Sequence, residues 1–584
     1  MRKMKAKSDI SYWQTVQKIL DGLVVLIAVV GTFLLVAEYS FTLSPENIDL
    51  FHLLIRLFSA VLVFQFFLKF IFSGQKVKFI KDSKRELVLI CLFGAALLFL
   101  RTGSVAPTIY FPAKTTGYLF SCQIFIVAFL AIKLVHFYKP LFSPRLSPPL
   151  IVVATFLVII AIGTFFLFLP ASAAPGKKTS LLDALFTATS ATCVTGLIVV
   201  DTGSHFSTFG QIVILVLIQI GGLGLMTFAS FFALLSGSFG LRERIILRDI
   251  VRYQNLSKIG YLVLYILLLT FIFEATGAIL LYFHFLPTAG SHLSAAYSAL
   301  FHSVSAFCNA GFSIYSDSFT GYQKNVAINL IMTLLIICGG LGFVVIVNLL
   351  GVIGSWIKKR KGYLSLHSKL VIFTTIILLV MGTFFLYIGE SDNLLKNLSF
   401  KEKLLAAFFQ SVTARTAGFN TIHIGSLTTF SSFLLILLMF IGASPGSTGG
   451  GIKTSTFATL ILTIKSMVQG KDQVEAFKRT IPQTFVYQTL CVVTLALGWS
   501  SISALFLSFT ENSDFLNILF EVFSAFGTVG LSRGLTPHLT SWGKMIIIIT
   551  IFVGRVGPLT LALAIGGRKA AKLYEYPQEG IIIG

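Results

Sequence analysis

The chain has 584 residues, 55% hydrophobic and only 12% charged, with a mean hydropathy of +0.89; this excludes a soluble domain and describes a polytopic membrane protein. Its formal charge of +22 is no nucleic-acid signature, because Lys and Arg gather in short loops between apolar spans, where they set orientation and add some affinity for anionic lipid. Six cysteines (Cys91, Cys122, Cys193, Cys308, Cys338, Cys491) lie in or beside apolar segments without CxxC spacing, so they read as packing residues rather than a zinc site or a disulfide framework.

The basic start, Met1 to Lys5, precedes an apolar stretch from about Leu20 to Phe41. That stretch is too long for a signal peptide and no small-residue cleavage pattern follows it. It reads as the first retained span, with the N-terminus in the cytoplasm. Residues 1–147 are expected to form an accessory bundle of about four transmembrane helices, near 18–41, 51–73, 86–102 and 117–138. The loop carrying Lys76, Lys78, Lys81, Lys84 and Arg85 is placed inside, and a loop at 42–50 with Glu46 and Asp49 outside. Lys69, Lys133 and His136 hint at a voltage-sensor bundle, but the evenly spaced arginines of such a sensor are absent, so packing is the default reading.

From residue 148 to 570 the chain reads as four repeats of span, re-entrant pore loop, span: 148–240, 255–360, 366–470 and 480–570. Each pore loop carries one element between two apolar spans. The copies are Cys193-Val194-Thr195-Gly196, Cys308-Asn309-Ala310-Gly311, Arg415-Thr416-Ala417-Gly418 and Gly527-Thr528-Val529-Gly530, and their last glycines recur every 107 to 115 residues. Ser190-Ala191, Ser305-Ala306 and Ser524-Ala525 precede three copies at one offset; Thr413-Ala414 precedes the third, one residue closer. Pore helices are expected near 181–191, 294–306, 402–414 and 514–526, the first capped by Asp183. Extended backbone at membrane depth must be buried in protein or face water. Glycine lets carbonyls turn toward one axis, and four such loops make a ring of oxygens able to replace the water shell of a cation. The expected fold class is an all-α polytopic membrane protein. Its four pseudo-symmetric repeats surround one ion pathway, giving twelve spans with the N-terminal bundle. Both termini, including a tail at 571–584, lie inside. Bases at 242–258, 358–361, 471–479 and 568–572 all fall on that side.

Each second span is interrupted by glycines: Gly221-Gly222-Leu223-Gly224, Gly339-Gly340-Leu341-Gly342, Gly442 to Gly451, and Gly554-Arg555-Val556-Gly557. In repeat three the run Gly442, Ala443, Ser444, Pro445, Gly446, Ser447, Thr448, Gly449, Gly450, Gly451 cannot hold a helix and is the candidate gate below the filter; in repeats one and two a kink for close packing is the favoured reading. The run does not fit GxxxxGK[ST] and follows no strand, so it is no phosphate loop. Arg555, inside the last span, is expected to face the pore or the repeat-three loop and to raise the barrier for a cation; Lys453 carries the same reading less strongly. An enzyme would need convergent acids or histidines at membrane depth. Glu274 is the clearest intramembrane carboxylate and has no obvious acidic or His partner nearby in sequence, while His205, His292, His302, His423 and His538 lack ligand spacing. No enzyme activity is expected.

The stretches FTATSATCVTGL (186–197), FHSVSAFCNAGF (301–312), FQSVTARTAGFN (409–420) and SPGSTGGGIKT (444–454) resemble the ion-translocating subunits of the Trk/Ktr/HKT potassium transporters, nearest the KtrB type. The resemblance covers roughly 148–570. It implies potassium as the substrate at the filter, the only metal site, and no cofactor on this chain. It implies a gate in the repeat-three loop with Arg555 acting near it. It further implies a homodimer in the cytoplasmic membrane on a cytosolic ring of nucleotide-binding RCK domains, with lipid around it and no nucleic acid. Glycine at all four filter positions favours potassium over sodium. The missing second glycine of a TVGYG filter points to looser selectivity. A sodium-coupled or weakly selective symporter and the pore subunit of an ATP-driven pump are the alternatives. The first 147 residues depart from the short N-terminus of typical members.

Overall fold

The structure is a computed structural model that describes residues 45–72, 76–101, 148–224 and 259–566, with individual positions between 22 and 38 and between 119 and 129. The chain divides into two compact units, Met1–Ser143 and Pro144–Gly584.

In the first unit the helix Pro45–Phe72 begins earlier than expected. Glu46 and Asp49 lie in its first turns rather than in a loop, because Pro45 suits the first helical position and an acid there favours the helix N-terminus. The lysine-rich connection is likewise helical over Lys76–Asp82, followed by a helix at Lys84–Arg101. Leu35, Ile55, Leu62, Cys122, Phe125, Ile126 and Phe129 form the core of this unit. Within it the Glu38 carboxylate accepts from His52 Nε2 (2.7 Å) and Gln123 Nε2 (3.3 Å). Lys133 and His136 lie outside the described residues.

The second unit is built from helices in the order the repeats dictate. Pro149–Phe168, Leu264–Phe285, Leu366–Glu390 and Gln483–Thr510 are the four first spans; with Glu46–Ile71 they are the five described helices long and apolar enough to cross a membrane unbroken. At 1.5 Å per residue, the 25 residues of Leu366–Glu390 extend about 37 Å, enough for a hydrocarbon core of about 30 Å. Their outer faces stay apolar: Phe271 is 72% exposed, Val380 62% and Leu505 71%, a pattern that suits lipid and not water.

The second spans are not continuous. They run as short helices, Thr208–Leu223, Val326–Leu341, Thr429–Phe440 and Ser541–Val556. Three stop at a glycine with φ of 76° (Gly224), 88° (Gly342) and 89° (Gly557), torsions that a side chain disfavours. In repeat two the next helix, Phe343–Ile357, is bent away by 101°, and in repeat four Pro558–Ile565 by 93°. The kink expected for repeat two is therefore a complete break. Packing is present as well, since Gly339 lies against the Phe307 carbonyl, where a Cβ would not fit. Beyond Gly224 the second span of repeat one, with the bases at 242–258, lies outside the described residues, as do those at 568–572.

Between repeats three and four the chain forms a small antiparallel hairpin, Val474–Ala476 with Arg479–Ile481, which an all-helical reading did not anticipate. Buried carboxylates tie first spans to second spans on the opposite face. Glu390 accepts from Thr428 N–H (2.9 Å) and Oγ1 (2.8 Å), and Glu511 accepts from Thr540 Oγ1 (2.5 Å).

Candidate functional site

The four pore helices are Leu181–Thr192, His292–Phe307, Phe400–Thr413 and Phe515–Gly527. Serines start three of them: Ser180, Ser291 and Ser399 each accept the backbone N–H three residues on, and Ser399 completes a capping box with Glu402. Asp183 is not the cap expected. It sits at the third helical position and accepts from Ser180 Oγ (2.6 Å) and from Lys544 Nζ (2.6 Å). Burial alone would raise its pKa, but the hydrogen bonds from Lys544 and Ser180, with the charge of Lys544, hold the carboxyl below its ordinary range.

Each pore helix points its C-terminus, the negative end of its dipole, at the glycine element. There the backbone follows one pattern four times. The filter glycines have φ of 89° (Gly196), 70° (Gly311), 81° (Gly418) and 92° (Gly530), and the residue two before each is also left-handed: Val194 56°, Asn309 58°, Thr416 75°, Thr528 50°. The residue between them is not, and the alternation turns successive carbonyls to one side. The four glycines close a ring in sequence order. A Cβ on Gly196 would lie 3.0 Å from Gly311 Cα, on Gly311 2.9 Å from Gly418 Cα, on Gly418 3.3 Å from Gly530 Cα, and on Gly530 3.0 Å from Gly196 Cα.

The repeated serine or threonine clamps each loop. Its carbonyl accepts the N–H of the residue before the glycine at 2.8–2.9 Å in all four repeats: Ser190 from Thr195, Ser305 from Ala310, Thr413 from Ala417, Ser524 from Val529. In repeats one to three the clamp hydroxyl also donates to the carbonyl after the glycine, on Leu197 (2.7 Å), Phe312 (2.8 Å) and Phe419 (2.6 Å). Three residues before the clamp stands a second buried polar side chain: Thr187, His302, Gln410, Glu521. Three of these are struts to the outgoing loop. His302 Nε2 meets Ser313 Oγ (3.0 Å), Gln410 Nε2 donates to Thr421 Oγ1 (3.5 Å), and Glu521 accepts from Ser532 Oγ (2.5 Å) and Thr536 Oγ1 (2.7 Å). In repeat one the place of Ser313 and Ser532 is taken by Ile198, and the hydroxyls of Thr187, Thr192 and Thr195 have no partner.

Below the ring lies the repeat-three loop. Its ends meet in a single parallel bridge between Ile441 and Ile452. A broken helix leaves terminal carbonyls and N–H groups unpaired, and the break in repeat two finds its partners in this loop. Ser444 N–H donates to the Gly340 carbonyl (3.0 Å), Thr448 N–H to that of Gly339 (3.3 Å), and Phe343 N–H to that of Gly446 (3.0 Å). Gly450 N–H donates to Thr528 Oγ1 (2.9 Å) and Gly449 packs on Thr416, so the loop sits directly against the left-handed filter residues of repeats three and four. Ser447 Oγ donates to the Ser444 carbonyl (2.6 Å). Arg555 spans the remaining gap, donating through Nη1 to the Thr448 carbonyl and through Nη2 to the Gly221 carbonyl of the repeat-one break. Lys453 Nζ donates to the Gly449 carbonyl (2.6 Å). Two basic side chains thus stand under a ring of carbonyl-bearing loops.

The sequence matches the TrkH family, described as cation transport protein, over residues 120–569. The chain belongs to that family. It is similar to Ktr system potassium uptake protein B of Bacillus subtilis, 39% identical over 443 residues, covering 75% of this chain and 97% of that one. It is similar to potassium/sodium uptake protein NtpJ of Enterococcus hirae, 40% identical over 448 residues, covering 75% and 98%. Among solved structures, the potassium transporter TrkH from Vibrio parahaemolyticus shares the fold, with a TM-score of 0.60 at 20% identity over 82% of this chain and 97% of that chain. The protein is therefore an all-α, multi-pass membrane subunit of the Trk/Ktr superfamily. Its first 119 residues lie outside the family match.

For this TrkH-family chain the expected filter residues do not play equal parts. Cys193 and Cys308 cap their pore helices and Gly527 ends one, so only the three residues after each form the ring proper. Arg415 contributes backbone; its side chain lines a small cavity with Ile336, Thr375, Leu379 and Val412, between repeats two and three. Pro445 sits in the loop with Gly442, Gly446 and Gly451 as expected from sequence, while the strut residues His302, Gln410 and Glu521 were missed. Their only signal was a polar residue three before each clamp. Glu274 accepts from Gln219 Nε2 (3.2 Å) and Cys308 Sγ (3.7 Å), both distant in sequence and neither an acid nor a histidine.

Proposed function

We propose that this chain carries potassium into the cell through the four-loop ring, with the repeat-three loop as its gate. The observation that carries the reading is the closed ring of four glycines, each preceded at two residues by a left-handed residue. A dehydrated cation passing the ring exchanges water for backbone oxygens and is held by four helix dipoles. Arg555 and Lys453 then oppose its exit until the loop moves. Relatives bear the names potassium uptake protein and potassium/sodium uptake protein, which supports the substrate class.

The loop bonds directly to the broken end of repeat two and is linked to the helix end of repeat one through Arg555, so a partner that draws those ends outward would open the path. The relatives named as parts of a Ktr system support a separate regulatory chain. We assign to it a cytosolic ring of nucleotide-binding RCK domains carrying a homodimer of this subunit, in the cytoplasmic membrane, with both termini inside. No bond chemistry is involved. A sodium-coupled or weakly selective pathway is the second reading, favoured by the unpartnered hydroxyls of repeat one. A pump subunit driven by another chain's ATP hydrolysis is separated from both by potassium flux through the purified protein in ATP-free liposomes.

The test is growth at low potassium of a bacterium lacking its own uptake systems, carrying this chain with a compatible partner, and the same with Gly196→Ser. Rescue by the wild type, with loss of rescue or entry of sodium in the variant, is expected. A variant indistinguishable from wild type removes the ring as the filter.

A further inference from the structure

The helix that leaves the gating loop, Thr454–Val468, is 15 residues long, about 22 Å. From a loop at mid-depth the hydrocarbon ends after about 15 Å, so the last turn of this helix lies at the level of lipid headgroups. Lys465 stands on that turn. The chain then folds back through the hairpin, whose turn residues Phe477 and Lys478 are left-handed at 50° and 61°. Val474, Ala476 and Ile481 bury one hairpin face against Leu370, Ala458 and Val486, fixing it to three helices. The other face and the helix end border an open hollow of about 720 Å³.

Four bases line this hollow, Lys465, Lys471, Lys478 and Arg479, against one acid, Glu475, which Lys471 meets at 3.3 Å. Apolar side chains stand exposed beside it: Met467 is 74% exposed, Val468 83% and Phe477 47%. Bases grouped in a fixed concavity favour a phosphate oxyanion. Exposed Met and Val at headgroup depth favour the start of an acyl chain.

We propose that this hollow binds the phosphodiester headgroup of an anionic phospholipid, and that the bound lipid acts on the gate through the helix that carries both. A free phosphate would meet the same charges but would leave Met467, Val468 and Phe477 without a contact. The proposal uses the orientation given above; its binding test is independent of transport.

The test places a reporter with F477W in the full chain, reconstituted in vesicles, and reads the added fluorescence. Quenching by brominated phosphatidylglycerol is compared with quenching by brominated phosphatidylcholine. A preference for the glycerol lipid of about fivefold or more is expected, near one neutralised charge's worth. K465Q/K478Q/R479Q brings the ratio near one, and E475Q raises it, which a merely misfolded variant would not do. Neutralising 358–361, basic residues elsewhere on the same face, leaves it unchanged. Equal quenching by both lipids, or a preference that survives the triple variant, overturns the site. Relief of quenching by about 10 mM inorganic phosphate in isotonic salt would make it a soluble-anion site instead and overturn the lipid assignment. For the gate, potassium flux should rise about threefold or more on replacing a third of the neutral lipid by phosphatidylglycerol, and the rise should vanish in the triple variant. Flux that ignores lipid charge overturns the coupling, whereas absence of flux in every lipid counts against the proposed function and leaves the quenching result standing.

Discussion

At the scale of residues, the proposed filter is held by hydroxyls as well as shaped by glycines. Ser305 both donates to the Phe312 carbonyl and, through its own carbonyl, accepts from Ala310 N–H. Ser305→Ala leaves a buried carbonyl unpaired, a loss of about 1–3 kcal/mol; we expect a lower thermal midpoint and raised sodium permeation, read by melting and by the sodium-to-potassium flux ratio. Repeat one is the exception, with Ile198 where repeats two and four place a serine and with Thr187 unpartnered. Ile198→Ser offers Thr187 the missing strut. Sodium entry should fall, by up to about fivefold for one net hydrogen bond, with potassium influx unchanged. An unchanged flux ratio would remove the strut from the account of selectivity. The clamp serines were legible in sequence because they recur at one offset. The struts were not, because Thr, His, Gln and Glu share no side chain and their role depends on what faces them.

At the scale of elements, two breaks satisfy one another. The carbonyls of Gly339 and Gly340 and the N–H of Phe343 are left open by the 101° bend, and Ser444, Thr448 and Gly446 of the gating loop fill them. Neither segment is stable alone at membrane depth, which gives the paired arrangement its strength. Arg555 adds two charge-assisted bonds, to Thr448 and Gly221. Arg555→Gln should weaken the loop's hold by about 1.5–3 kcal/mol, at least tenfold in the open fraction. In liposomes without a partner, potassium flux should rise by about that factor; flux equal to wild type would mean that Arg555 does not restrain the loop. The Gly, Ser and Pro run was legible as a non-helical segment from composition. That its partner is the repeat-two break was not, because hydrogen bonds between segments about 100 residues apart leave no local pattern.

At the scale of the molecule, the repeats are joined by chain from one to two, two to three and three to four, but repeat four meets repeat one only through contacts. Asp183 and Lys544 make one such tie at 2.6 Å, each side chain 18% exposed. Because the folded pKa of Asp183 lies below its ordinary value, the tie stabilises fully above the ordinary carboxylate pKa and is lost as pH falls through the lowered one. Its contribution is at most about 1 kcal/mol. Asp183→Asn should therefore melt slightly below wild type at neutral pH, and the difference should close in strongly acidic solution. A difference that persists there would assign the effect to packing.

The amino-acid sequence by itself determined the class, the four repeats, the pore helices and the positions of the four loop glycines, since hydropathy and glycine spacing are local properties that each repeat restates. It also marked Arg555 and the repeat-three run, because a charge or a string of glycines inside a span violates the rule of the membrane interior. Only the tertiary structure decided that the second span of repeat two breaks rather than kinks, that Ser180 and not Asp183 caps the first pore helix, and that the repeat-three loop pairs with that break. The physical reason is common to all three. Each depends on which unpaired backbone or side-chain group finds a partner across the fold, and partners far apart in the chain are chosen by packing rather than by spacing.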